Sequence, residues 1–393
     1  MSPAHAPWMT GGAPPVTSRG TLRGIEPEET WARLRPLLAA RGVTRVADLT
    51  DLDVLGIPVW SAIRPGAATL VASAGKGLTH CAARISAVVE SLEVAVAEEA
   101  SVPVVHRGSA ARLTPGYSVS ELSLHPASLA DDRTELEWTE GWDLVSGKAA
   151  PVPAAAVGLR GWAHDGWQPP LFVTTTNGLA GGNDHVEAAL HGLLELVERD
   201  SLARWKPGDG VRVAPERLGP RLGPVWERVR ATGAELILER IPSVPGTWTY
   251  TCWLVQPEMW QVFGGSGCHT VAAIAAERAL MEAVQSRGST ISGARDDIPD
   301  WSFRRSGPAP RPPLGPTGEQ EELPRQDPPV RPLGEVLDGV VESVHACTGR
   351  PVMAVDLTPP AAPWPPVVQV FAPGLGLSLD HPRPRELTSR SFV

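Results

Sequence analysis

A chain of 393 residues is long enough for two or three domains or one large α/β unit, and its 42% apolar and 20% charged residues are globular values. A net charge of −9 removes the electrostatic case for nucleic acid or an anionic membrane surface, and no apolar run reaches membrane-spanning length. The four cysteines, Cys81, Cys252, Cys268 and Cys347, form no CxxC pair, which argues against a structural zinc site or a disulfide framework.

The opening MSPAHAPWMTGGAPP lacks a basic n-region and an apolar h-region, so the chain reads as cytosolic. Its Pro, Gly and Ser content makes residues 1–20 a disordered tail, with 21–393 as one folded domain. Pro27, Glu28 and Glu29 open a helix expected through Ala40, with Gly42 at its end. Apolar runs at Val43–Ala47, Ile57–Ile63 and Leu70–Ser73 read as short strands. Ala74-Gly75-Lys76-Gly77 reads as a turn into a helix from Thr79 to about Ala100. That helix is apolar at Ile85, Val88, Val89, Leu92 and Val96, and polar at Ser86, Glu90 and Glu93.

The stretch from Phe172 to Arg199 has the same design. A β-branched strand over Phe172–Thr176 is expected, then a turn at Asn177-Gly178 and a helix capped by Asn183 or Asp184. Along it Glu187, His191, Glu195 and Arg199 recur every four residues, with Glu198 three after Glu195. Strands at Glu235–Ile241, Trp248–Val255 and Trp260–Phe263 follow a short helix near Val225–Ala231. Gly264-Gly265-Ser266-Gly267 then leads as a turn into a third polar helix, Val271–Arg287, bearing Glu282, Gln285 and Arg287. Residues 298–331 are Pro-rich and read as a mobile insertion. A helix at Leu333–Cys347 and strands at Val352–Asp356 and Val367–Phe371 close an α+β chain of mixed sheets flanked by helices.

Acids three apart share a helix face, so two such helices packed together present four carboxylates to one point. Such a cluster repels itself, and Mg2+ relieves it by bridging carboxylates to substrate phosphates. On this reading Glu90, Glu93, Glu195 and Glu198 are metal ligands, and Arg199, Arg287 and Lys76 are phosphate donors. Asn177 and Gln285 serve a ribose or base. The competing reading, three merely solvated acidic faces, fits the spacing about as well. A di-iron site wants Glu-x-x-His where this chain has Glu-x-x-Glu, and Gly75-Lys76-Gly77 lacks the GxxxxGK[ST] spacing of a P-loop.

Three blocks carry a family resemblance: SAGKGLTHCAARISAVVESLE, TTNGLAGGNDHVEAALHGLLELVERD and GGSGCHTVAAIAAERALMEAVQSRGSTISGARDD. They resemble the signature blocks of the YcaO family, in order, and with the lead-in VTRVADLTDLDVLGIPVWSAIRP the similarity spans about residues 21–297 and the PGL of Pro373–Leu375. The resemblance implies a YcaO-like catalytic domain whose acidic helices line a site for ATP and Mg2+. By position, Lys76, Ser86, Asn177, Arg199, Glu282, Gln285 and Arg287 would hold ATP, with Glu90, Glu93, Glu195 and Glu198 on the metal. It further implies ATP-dependent activation of a backbone amide in a precursor peptide, giving a thioamide, an azoline or a macroamidine. The lead-in favours thioamidation with a TfuA-like partner; azoline formation would go with a leader-peptide-binding protein. A homodimer fits such a fold, and the chain's alternative role is a non-catalytic nucleotide-binding accessory factor.

Overall fold

The structure is a computed structural model. It describes residues 6–16, 20–159, 171–206, 209–256, 261–293, 320–324, 329–361 and 364–377, with Met259, Arg295 and Ile298 between them. In chain order the elements are α1 (Pro27–Leu34), β1 (Arg45–Asp48), β2 (Val59–Ile63), β3 (Ala72–Lys76), α2 (His80–Glu99), β4 (His106–Ser109), α3 (Ala110–Leu113), β5 (Glu135–Asp143), β6 (Lys148–Pro153) and β7 (Leu179–Gly181). The chain continues with α4 (His185–Arg204), β8 (Val211–Val213), α5 (Gly219–Arg230), β9 (Glu235–Ile241), β10 (Trp248–Val255), β11 (Val262–His269), α6 (Ala272–Ser292) and β12 (Gln320–Glu321). It closes with α7 (Leu333–Thr348), β13 (Met353–Asp356) and β14 (Val367–Phe371).

These strands form three sheets, so the α+β class expected from the sequence, sheets flanked by helices, holds. The first has order β1-β2-β3, the second β11-β10-β9-β8-β12, and the third β4-β5-β13-β14-β7 with β6 on β5. Pairing is antiparallel except for β12 beside β8. Among the described residues no helix is long and apolar enough to cross a membrane. Most of the 298–331 stretch and the tail beyond Leu377 lie outside the described residues. Part of the stretch expected as a disordered tail makes defined contacts: Val186 N–H donates to the Thr10 carbonyl, and Leu333 N–H to that of Ala13.

Two glycine-rich stretches differ from their expectation as turns. Ala74-Gly75-Lys76 belongs to β3, and Gly264 to Gly267 lie inside β11. Each strand is pressed onto the backbone of the helix that follows it. A Cβ on Gly75 would stand 2.1 Å from the Ala87 amide nitrogen, and one on Gly265 would stand 2.2 Å from that of Ala283. No side chain fits there, so these strands lack the β-branched signature by which strands are read. Conversely Phe172–Thr176 forms only one bridge, Leu124 to Phe172, and the pairing strand is Leu179–Gly181, one turn later. The first helix also stops early, at Leu34, where Pro36 has no N–H to continue the ladder; 3₁₀ turns carry it to Gly42 in the left-handed region.

Three strand–helix units therefore recur: β3–α2, β7–α4 and β11–α6. Thr79 Oγ1 caps α2 through the Ala82 N–H at 3.2 Å, and Asp184 Oδ1 caps α4 through the Glu187 N–H at 2.8 Å. Each helix packs on its own strand and also on the strand of the next unit: α2 on β7, α4 on β11, and α6 on β3. The three units thus close a ring around one interior space.

Candidate functional site

Helix register places the polar residues of the ring. Counting from His80, His185 and Ala272, the eleventh residues are Glu90, Glu195 and Glu282, and the fourteenth are Glu93, Glu198 and Gln285. Each fourteenth residue reaches the neighbouring unit's strand. Glu93 Oε1 accepts from the Gly181 N–H at 2.5 Å. Glu198 accepts from Ser266 Oγ at 2.6 Å and from the Cys268 N–H at 3.0 Å, and Gln285 Nε2 donates to the Ala74 carbonyl at 3.0 Å. These bonds staple the ring, and Glu198 spends both its carboxylate oxygens on β11. The part-exposed stripes of the three helices are Ser86–Glu90–Glu93, His191–Glu195–Arg199 and Arg278–Glu282–Gln285, which is the side facing the shared space.

The electrostatics show that the acids share one neighbourhood. Burial pushes the Glu93 carboxyl up to about 8, and Glu90 and Glu195 add to it against the Gly181 N–H. Burial likewise pushes Glu195 up to about 7, with Glu198 adding and Arg199 and the Gly178 N–H opposing. Arg199 stands 3.6 Å from Glu195. For Glu282 burial also pushes upward, but Lys76 at 2.8 Å, with Arg199 and Arg278, outweighs it and holds the carboxyl below its usual range. The acids of α2 and α4 thus stay raised, Glu195 even with Arg199 beside it, while that of α6 is held down by Lys76.

The structure brings Lys76, Ser86, Glu90, Glu93, Glu195, Glu198, Arg199, Glu282 and Gln285 onto this ring. Asn177 is adjacent: its side-chain amide donates to the Leu377 carbonyl at 3.4 Å, and the next residue, Gly178, hydrogen-bonds Glu195. Arg287 is placed otherwise than its spacing suggested. It lies two residues past Gln285, on the other face of α6 from the stripe, where it is buried and forks onto Asp53 at 2.7 and 2.9 Å with a further bond to Gln256. Its guanidinium is a structural tie between α6 and the segment before β2.

Sequence reasoning missed the opposite wall. Arg23 Nη1 bonds Glu187 Oε1 at 2.7 Å, and its charge also acts on Glu93, His191 and His269. Glu187 is buried and further accepts from the Gly24 N–H and from Asn183. Arg278 acts on Glu195, Glu282 and His191. Arg23 sits in an irregular segment with no periodicity to flag it; only its place inside the span of the resemblance, about residues 21–297, could have done so.

A cation fits this donor set, because two of its carboxyls, Glu93 and Glu195, are raised by burial and by neighbouring acids, which is what a divalent ion relieves. Yet among the described residues no three His, Cys, Asp or Glu side chains form a metal-holding group on their own.

A family profile described as YcaO cyclodehydratase, ATP- and Mg2+-binding, matches residues 74–376. An uncharacterised protein of Mycobacterium tuberculosis is 36% identical over 388 residues, 95% of this chain and 88% of its own length. An uncharacterised protein in the tfuA 3' region of Rhizobium leguminosarum bv. trifolii is 32% identical over 385 residues, 91% and 89% of the two chains. Among solved structures, YcaO from Methanopyrus kandleri bound with AMPPCP and Mg2+ superposes with a TM-score of 0.67 at 26% identity, over 93% of this chain and 95% of that one. A heterocyclase in complex with substrate and cofactor gives 0.72 at 20% identity, over 93% of this chain and 55% of that one, and so speaks to the fold alone.

Proposed function

The chain belongs to the YcaO family, and from that premise we propose that it uses Mg-ATP to convert a backbone amide of a ribosomally made peptide or protein into a thioamide. ATP and Mg2+ are the family's cofactors, and ATP-dependent peptide modification is its chemistry. ATP supplies the phosphoryl group that turns the amide oxygen into a leaving group. The sulfur nucleophile adds to the amide carbon, and the amide oxygen departs with phosphate, leaving C=S.

In this reading Glu90, Glu93, Glu195 and Glu198 would hold the metal, and Lys76, Arg199 and Arg278 would neutralise phosphate charge. Ser86, Asn177, Glu282 and Gln285 orient the nucleotide, and Arg23 is added to them from the structure. No side chain has to act as a covalent nucleophile. The buried thiols fit this: burial pushes Cys268 up to about 12, far from thiolate reactivity. The observation that carries the chemistry is the α2–α4 acid cluster, whose carboxyls stay raised although cations surround it.

Thioamidation over other outcomes is supported by the tfuA-neighbouring relative, which also supports a TfuA-like partner. The family profile's own description favours azoline formation as the second reading. Purified protein, Mg-ATP, a sulfide donor, a TfuA-like protein and a candidate precursor peptide separate the two by mass. Exchange of one oxygen for sulfur is the expected result; loss of one water, with or without sulfide, would replace thioamidation by cyclodehydration.

A further inference from the structure

His191 lies on the open stripe of α4 between Glu187 and Glu195, and the carboxylate chemistry gives it no task. Its Nδ1 stands 3.4 Å from Nη1 of Arg278. A guanidinium carries N–H donors and no acceptor, so Nδ1 must accept in this contact. The ring's single proton is then on Nε2. Burial, followed by Arg278, Arg23, Lys76 and His269, holds the imidazole well below its ordinary pKa, so the ring stays neutral. A general base is ruled out for Nδ1, whose lone pair is taken, and for Nε2, which bears the proton. What remains is an N–H donor that brings no charge.

Its place in the ring says what it donates to. Counting as before, the seventh residues of α2, α4 and α6 are Ser86, His191 and Arg278, each a donor, one helical turn before the acids Glu90, Glu195 and Glu282. The cations that act on His191 come from the N-terminal segment, β3 and α6 and so converge on it from three sides. A tier of donors among converging cations, beside a tier of acids, suits a ligand with many anionic oxygens whose metal sits on the acid side.

We propose that His191 is a neutral hydrogen-bond donor to a phosphate oxygen of the bound nucleotide, with Arg278 as the positioning residue that fixes its tautomer. This rests on the nucleotide reading of the site, which deserves separate failure. In the ligand-free protein, ¹⁵N spectra of labelled histidine are expected to show Nδ1 bare and Nε2 protonated, without titration between about pH 5.5 and 8.5. Calorimetry with Mg-AMPPCP and with adenosine then tests contact. Replacing His191 by Phe is expected to weaken Mg-AMPPCP about tenfold or more and to leave adenosine unchanged, while His191→Gln, which keeps a donor, stays within about threefold.

A protonated Nδ1, a ring that titrates in that window, or a His191→Phe variant that binds Mg-AMPPCP like the parent overturns the proposal alone. Equal weakening of Mg-AMPPCP and adenosine does so too, because it reports packing. Failure of the parent protein to bind Mg-AMPPCP overturns the nucleotide reading and the proposal together. Should His191→Phe not fold, the parent's spectra and the His191→Gln affinity still decide.

Discussion

The α4 and α6 units occupy equivalent places in the ring and have opposite electrostatics. Glu195 and Glu282 share the eleventh helix position, yet burial and Glu198 push the first up to about 7, whereas Lys76 holds the second below its usual range. At the fourteenth position α4 carries Glu198 and α6 carries the neutral Gln285. One repeated scaffold thus has a side whose carboxyls stay raised and a side already neutralised. The lesson is that spacing alone marks acids, while the partner brought by another strand decides which of them wait for a cation.

Removing acids on the two sides tests this contrast most severely. Glu195→Gln relieves repulsion, so the free protein is expected to melt no lower than the parent, while ATP turnover falls about 10²-fold or more. Glu282→Gln instead strips Lys76 of its acid and gives no such stabilisation. A Glu195→Gln protein that keeps parental turnover would break the assignment.

Arg287 gives the next largest effect, and it is structural. Truncation to Ala leaves Asp53 buried without its bidentate partner and is expected to cost about 3–5 kcal/mol in denaturant unfolding. Lost nucleotide affinity at unchanged stability would return Arg287 to the site.

Protons provide the smaller and finer probe. Carboxyls raised in the folded state contribute stability fully present below their unfolded pKa and lost as pH rises through the folded value. Glu93 and Glu195 therefore make the free protein less stable at about pH 9 than at about pH 6. Mg-nucleotide must expel their protons, so binding should tighten across that interval and release protons near pH 7. Calorimetry in two buffers of different ionisation enthalpy measures the release, which Glu93→Gln should diminish; no release in the parent would contradict the cluster.

Much of this was legible in the sequence for identifiable reasons. Helices α2, α4 and α6 announce themselves by period, by the caps Thr79 and Asp184, and by acids three apart. Their strands do not, because Gly75, Gly265 and Gly267 are small to let helix backbones approach, and smallness reads as a turn. The acids of the site were legible because their spacing is local. The partners were not, since Lys76–Glu282, Arg23–Glu187 and Asp53–Arg287 join segments far apart in the chain. Arg287 shows the risk: a cation close in sequence to a functional stripe, but on the other face of its helix, belonged to a buried ion pair.

Crystals grown with AMPPCP and Mn2+ in place of Mg2+, measured at the manganese edge, test the central claim most directly. The account predicts anomalous peaks between the Glu90–Glu93 and Glu195–Glu198 pairs, with phosphate oxygens completing the shell. Manganese bound at Glu282 instead, or nucleotide seated outside the ring, would contradict it.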